Sequence, residues 1–198
     1  MNTKAYLAES LGTFLLAFAV SGSLTVGLGL STPLIAGLTL GLCVYYFGSV
    51  SGSHLNPAIS LMLLLQKKIS LKDTVGYIVA QVIGATVAGV VALKVYGQVP
   101  NPPVIDSSSA LFAEILGTFC LGLGVSSVAN KQVSAGASGI TVGGSLLLGI
   151  LLASKVSNGV LNPAVAFGIN SLSIVYILGP IIGAGLAGLA YPYLISKK

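Results

Sequence analysis

Apolar positions in this chain come in long runs, not at the spacing of a half-buried helix or strand. Mostly apolar stretches lie near residues 5–30, 33–50, 74–96, 109–129, 137–154 and 173–195. A helix needs roughly 20 such residues to cross a bilayer's hydrocarbon core, so the pattern predicts six spans. Two further apolar segments are too short to cross. The first, from Asn56 to Leu65, gives roughly 15 Å of helix, about half the hydrocarbon thickness. The second runs from Asn162 to about Asn170. Irregular backbone at membrane depth survives only where protein buries it or water reaches it. Both segments are therefore read as re-entrant, a loop going in and a half-helix coming back. The one long polar connection lies between Val95 and Ser109, where Pro100, Asn101, Pro102 and Pro103 forbid a helix.

The chain repeats itself. Ala8-Glu9-Ser10-Leu11-Gly12-Thr13-Phe14 returns as Ala113-Glu114-Ile115-Leu116-Gly117-Thr118-Phe119, at an offset of 105. Leu55-Asn56-Pro57-Ala58 returns as Leu161-Asn162-Pro163-Ala164, at an offset of 106. A third echo pairs Tyr77–Gly89 with Tyr176–Gly188, at an offset of 99. Residues 1–198 read as one domain, with repeats near 1–98 and 107–198 joined by loop 97–108. Each half holds three spans. Three is odd, so the second half enters the membrane from the opposite face and the repeats are inverted.

Composition sharpens this picture. Of 198 residues, 55% are apolar and 7% are charged, against about 25% charged in a soluble domain. A water-soluble enzyme, a disordered chain and a nucleic-acid module are thereby excluded. The basic charge comes from lysine alone. Lys4, Lys67, Lys68, Lys72, Lys131, Lys197 and Lys198 fall on one side of a six-span model, Lys94 and Lys155 on the other. The positive-inside rule then puts both termini in the cytoplasm of an integral, plasma-membrane protein. Tyr45 and Tyr46 lie deeper in their span and read as packing residues. The single histidine, His54, has no second imidazole with which to hold a metal. No cofactor is implied.

Asn followed by Pro is good helix-start chemistry: Asn caps free N–H groups, and Pro lacks the N–H that would go unpaired. Two inverted half-helices starting at Asn56-Pro57-Ala58 and Asn162-Pro163-Ala164 meet near the midplane. Their dipoles place positive partial charge there, which repels cations. These paired boxes, in SGSHLNPAI and SNGVLNPAV, together with the AE-x-LGTF blocks, resemble the major intrinsic protein family of aquaporins and their solute-conducting relatives. The resemblance covers nearly the whole chain. It implies an all-α membrane protein with six transmembrane helices plus two re-entrant half-helices, one pore per subunit, and a homotetramer.

The resemblance also implies roles. Asn56 and Asn162 point their amides into the channel centre, beside ladders of carbonyl acceptors from residues 51–55 and 157–161. The selectivity ring falls on Ala36, Ile150, Gly159 and Val165. Water-selective members carry Arg where this chain has Val165, and often an aromatic and a His at the positions of Ala36 and Ile150. Glycerol-conducting members usually have Asp where Ala166 stands. The ring here has no cation and no side-chain donor. Such a ring either admits larger neutral solutes or dewets and resists them; the sequence leaves both open. Glu9 and Glu114, the acids inside the spans, match family glutamates that brace the re-entrant loops. His54 matches a histidine at the cytoplasmic mouth, with pH sensing as a minor reading.

The function this predicts is passive passage of small uncharged solutes: water, glycerol, urea, ammonia or metalloid acids. The alternative is an inverted-repeat secondary transporter using Glu9 or Glu114 for coupling. A membrane enzyme lacks any convergent catalytic cluster.

Overall fold

The computed structural model describes residues 3–196. Lys197 and Lys198, counted above for charge, lie outside them. In chain order the helices are α1 (Thr3–Thr25), α2 (Thr32–Ser51), α3 (Pro57–Leu65), α4 (Leu71–Tyr96), α5 (Ser108–Ala129), α6 (Ser138–Ala153), α7 (Pro163–Gly168) and α8 (Ile174–Ile195). A 3-10 turn, Ala135–Ala137, leads into α6. Among the described residues there is no strand. Among the described residues six helices, α6 taken with the turn before it, are long and apolar enough to cross a membrane.

Helix starts follow local chemistry. Ser70, Ser107 and Ser173 each accept a backbone N–H with the side-chain hydroxyl, capping α4, α5 and α8. The first apolar run breaks sooner than its composition suggests. Gly27 and Gly29, at φ 67° and 74°, turn the chain among Val26, Leu28 and Leu30, so α1 ends at Thr25. The connection between halves runs from Gly97 to Ser107, because Ser108 already belongs to α5.

The packing respects the repeat. α1 packs on α4 and α2, and α5 packs on α8 and α6. The halves join along α2 and α6. Each short helix crosses over: α3 lies on α8, and α7 on α4. Exchanging α1–α4 for α5–α8 leaves these pairings unchanged. Glycine permits the tightest approaches. A Cβ on Gly84 would overlap the Ser10 carbonyl oxygen, and one on Gly183 that of Ile115, so α1–α4 and α5–α8 pack backbone to backbone at matched points.

The core is filled by Leu16, Ile59, Met62 and Leu121, with many alanines. The outer surface is apolar too. Phe112, Ile140, Leu189 and Val90 are each at least 65% exposed, a surface that belongs against lipid tails rather than water. The chain is an integral membrane protein.

Tyr45 and Tyr46 do not pack inside. They are 48% and 57% exposed. The Tyr45 hydroxyl donates to the Gly136 carbonyl at 2.8 Å, tying the end of α2 to the turn before α6. Apolar composition on all sides of α2 hides which face looks outward.

Candidate functional site

The site begins with how the two short helices start. Asn56 sits in extended geometry before Pro57, and its Oδ1 accepts the Ala58 N–H at 2.9 Å. Asn162 does the same before Pro163, accepting from Ala164 at 3.0 Å and from Val165 at 3.4 Å. Ala58 and Ala164 are fully buried behind them. The other end of each amide reaches across. Asn56 Nδ2 donates to the Leu161 carbonyl, and Asn162 Nδ2 to the Leu55 carbonyl, both at 2.9 Å. The helix tips therefore touch, tied by two reciprocal bonds between the halves. An amide nitrogen has two hydrogens, so each Asn keeps one donor unused by these bonds.

α3 has nine residues and α7 six. α7 stops short of the expected Asn170, because Asn170 takes φ 55° and closes the helix end. Neither segment can span a bilayer.

Before each tip the backbone takes left-handed turns at matched positions. Ser53 and Leu55 have φ 54° and 50°; Gly159 and Leu161 have φ 61° and 55°. A leucine held there costs about 1–3 kcal/mol, so something must hold it. The glutamates do. Glu9 Oε1 accepts the Ser51 hydroxyl at 2.6 Å and the His54 N–H at 2.9 Å. Its Oε2 accepts the Leu55 N–H at 2.7 Å and the Gln81 amide at 2.8 Å. Glu114 Oε1 accepts the Ser157 hydroxyl and the Val160 N–H, and its Oε2 accepts the Leu161 N–H at 2.8 Å. A trans peptide points its N–H and C=O in opposite directions. With these N–H groups turned to the carboxylates, the carbonyls of Ser53, His54, Gly159 and Val160 face away from them.

Two cavities open at opposite ends of α2 and α6. One, about 350 Å³, is bounded by the start of α2 and the end of α6. Ala36, Ile150, Gly159 and Val165 all line it, beside Asn162. The other, about 840 Å³, lies between the end of α2 and the start of α6. His54 lines it with Ser51, Ser53, Lys68 and Lys131.

Sequence reasoning missed four supporting side chains. Ser51 and Ser157 were visible, since both stand at the 106-residue offset of the boxes. Gln81 and Ser60 were not, because the matched positions hold Pro180 and Ala166, and a search for repeats passes over what occurs once.

The family model "Major intrinsic protein" matches residues 1–191. The chain belongs to the major intrinsic protein family. It is 36% identical to the Glycerol uptake facilitator protein-like 6 of Lactiplantibacillus plantarum, over 93% of this chain and 94% of that one. It is 31% identical to Aquaporin AqpM of Methanothermobacter marburgensis, over 98% of each. The fold is similar to the crystal structure of the aquaglyceroporin from Plasmodium falciparum, with TM-score 0.79 and 21% identity over 98% of this chain and 97% of that one. As a major intrinsic protein the chain is a passive channel for small solutes, and not an enzyme. The comparisons do not favour the secondary-transporter alternative.

Proposed function

We propose that this channel passes neutral solutes larger than water, such as glycerol and urea, through a path past Asn56 and Asn162. One observation carries the reading: Ala36, Ile150, Gly159 and Val165 share a single cavity wall. Two small and two branched aliphatic side chains make that wall wide and supply no side-chain donor. A solute entering there meets backbone acceptors and brings its own O–H or N–H donors. At the centre, the spare hydrogen on each Asn amide replaces water's donors, which offsets a dehydration cost of about 2–7 kcal/mol per polar group. Glu9 and Glu114 act as braces for the two loops, and His54 stands at the cytoplasmic mouth.

In the same reading, residues 1–198 form one domain of repeats 1–98 and 107–198. Lys4, Lys67, Lys68, Lys72 and Lys131 put both termini in the cytoplasm of a plasma-membrane protein. The subunits assemble as homotetramers in the bilayer, each with its own pore for small uncharged permeants.

Stopped-flow light scattering on proteoliposomes tests the solute class. Vesicles shrunk with glycerol, urea or boric acid reswell faster than protein-free vesicles for at least one of these solutes. If all three match protein-free vesicles while water exchange is accelerated, the channel is a water pore and the reading of the cavity wall is wrong.

A further inference from the structure

The two mouths differ in charge despite the repeat. The wider cavity, about 840 Å³ against about 350 Å³, is lined by Lys68 and Lys131 and by no acidic residue. At the matched positions the other half carries Ile174 and Val26, so the smaller cavity has no cation.

Both lysines stand just past a helix end. Open carbonyls at a helix end can claim an ammonium, but here the backbone closes them. Lys67 and Lys68 donate their N–H groups to the Leu64 and Leu63 carbonyls, at 2.9 and 2.8 Å. Lys131 and Gln132 donate to those of Val128 and Ser127, both at 2.9 Å. Lys67 and Lys131 each take φ 58° in these turns. Side chains then tie one turn to the other. Asn130, just before Lys131, donates from Nδ2 to Gln66 Oε1 at 3.3 Å. Gln66, just before Lys67, donates from Nε2 to Ser126 Oγ at 2.8 Å and to the Gly188 carbonyl at 3.1 Å. The clamp holds both basic turns at one cavity.

The ammoniums themselves are unclaimed. Neither Lys68 nor Lys131 has a side-chain hydrogen bond or ion pair among the described residues. The acids are committed elsewhere. Glu9 and Glu114 hold the two re-entrant loops. Asp73 accepts from the Tyr6 and Ser70 hydroxyls, both at 2.8 Å, and Asp106 lies in the connection between the halves. Two like charges on one cleft, with no internal counter-ion, focus a positive field into it.

A phosphate monoester answers that field best. It carries close to two negative charges and three acceptor oxygens, one charge for each ammonium, where a carboxylate answers only one. Nor can it travel on. Past this mouth the path narrows between the half-helix tips, and stripping water from a dianion costs far more than stripping it from a neutral solute.

We propose that Lys68 and Lys131 form a site for a small free phosphate monoester, which seats in the mouth beside His54 and obstructs the path from that side. The obstruction rests on the channel reading above; the binding does not.

Glycerol 3-phosphate is the probe, with sodium chloride at equal ionic strength as control. Thermal unfolding of the full chain in detergent reads binding. The ester raises the wild-type Tm saturably, and the double variant Lys68→Gln, Lys131→Asn binds it about tenfold more weakly. Asparagine tolerates the left-handed turn at position 131. Urea and glycerol flux into phosphatidylcholine vesicles, with the ester equal on both sides, reads obstruction. Relative to each protein's own ester-free rate, wild-type flux falls severalfold and that of the double variant falls less. No stabilisation beyond the chloride control, or equal sensitivity in the double variant, overturns the site. Stabilisation with undiminished flux overturns the obstruction. Phosphatidic acid in the bilayer, acting where the free ester does not, gives the lysines to a lipid headgroup and overturns the free occupant. Vesicles that pass neither solute without the ester overturn the channel reading, while the Tm shift still decides the site.

Discussion

Glu9→Ala removes the anchor of the first re-entrant loop and with it solute flux. The carboxylate accepts the buried N–H groups of His54 and Leu55 as well as the Ser51 hydroxyl and the Gln81 amide. Alanine leaves both N–H groups orphaned in an apolar surround, at about 1–3 kcal/mol each, or about 2–6 kcal/mol together. Leu55 is also held at φ 50°, a strained state that then loses the bond on its N–H. The loop relaxes, the Leu55 carbonyl withdraws from Asn162, and the tip contact opens. Thermal unfolding in detergent reads the stability loss, and proteoliposome flux reads the closed path. Glu9→Gln is the informative companion. Its amide keeps one acceptor oxygen, so flux survives at a reduced level. Flux abolished in a normally folded Glu9→Gln would instead mark the carboxylate as a coupling group.

Val165→Arg converts the solute channel toward a water pore. Val165 is 5% exposed and lines the cavity shared by Ala36, Ile150 and Gly159. Arginine there adds five N–H donors and a fixed charge where the ring now has neither. Its bulk takes much of the width that a glycerol molecule uses. Glycerol and urea permeability fall about tenfold, which corresponds to about 1.4 kcal/mol added to the barrier. Water exchange persists, because a single file of water still fits and gains the new donors. Stopped-flow traces on the two proteins in parallel measure this. Unchanged permeability to every solute would mean that Val165 does not border the constriction.

Much of the site was legible because it is written twice. The Asn-Pro-Ala boxes and the AE-x-LGTF blocks each occur in both halves, and duplication separates a functional pattern from background. Local chemistry supplied the rest of that part: Asn as cap, Pro as first helical residue, and a segment too short to span. The left-handed turns at Leu55 and Leu161 were hidden, because leucine gives no signal for positive φ. Their cause lies in glutamates more than forty residues away in sequence. The exposed faces of Tyr45 and Tyr46 were hidden for another reason. In a helix apolar on every side, burial against protein and burial against lipid leave the same composition. Ser60 and Gln81 occur once, polar but unremarked, and only coordinates bring them to His54.

Glycerol movement across vesicles holding the purified protein, with and without an imposed proton or sodium gradient, tests the central claim most directly. The account predicts a rate proportional to the glycerol difference, equal in both directions and indifferent to either ion. Accumulation of glycerol against its own gradient when an ion gradient is imposed would contradict it.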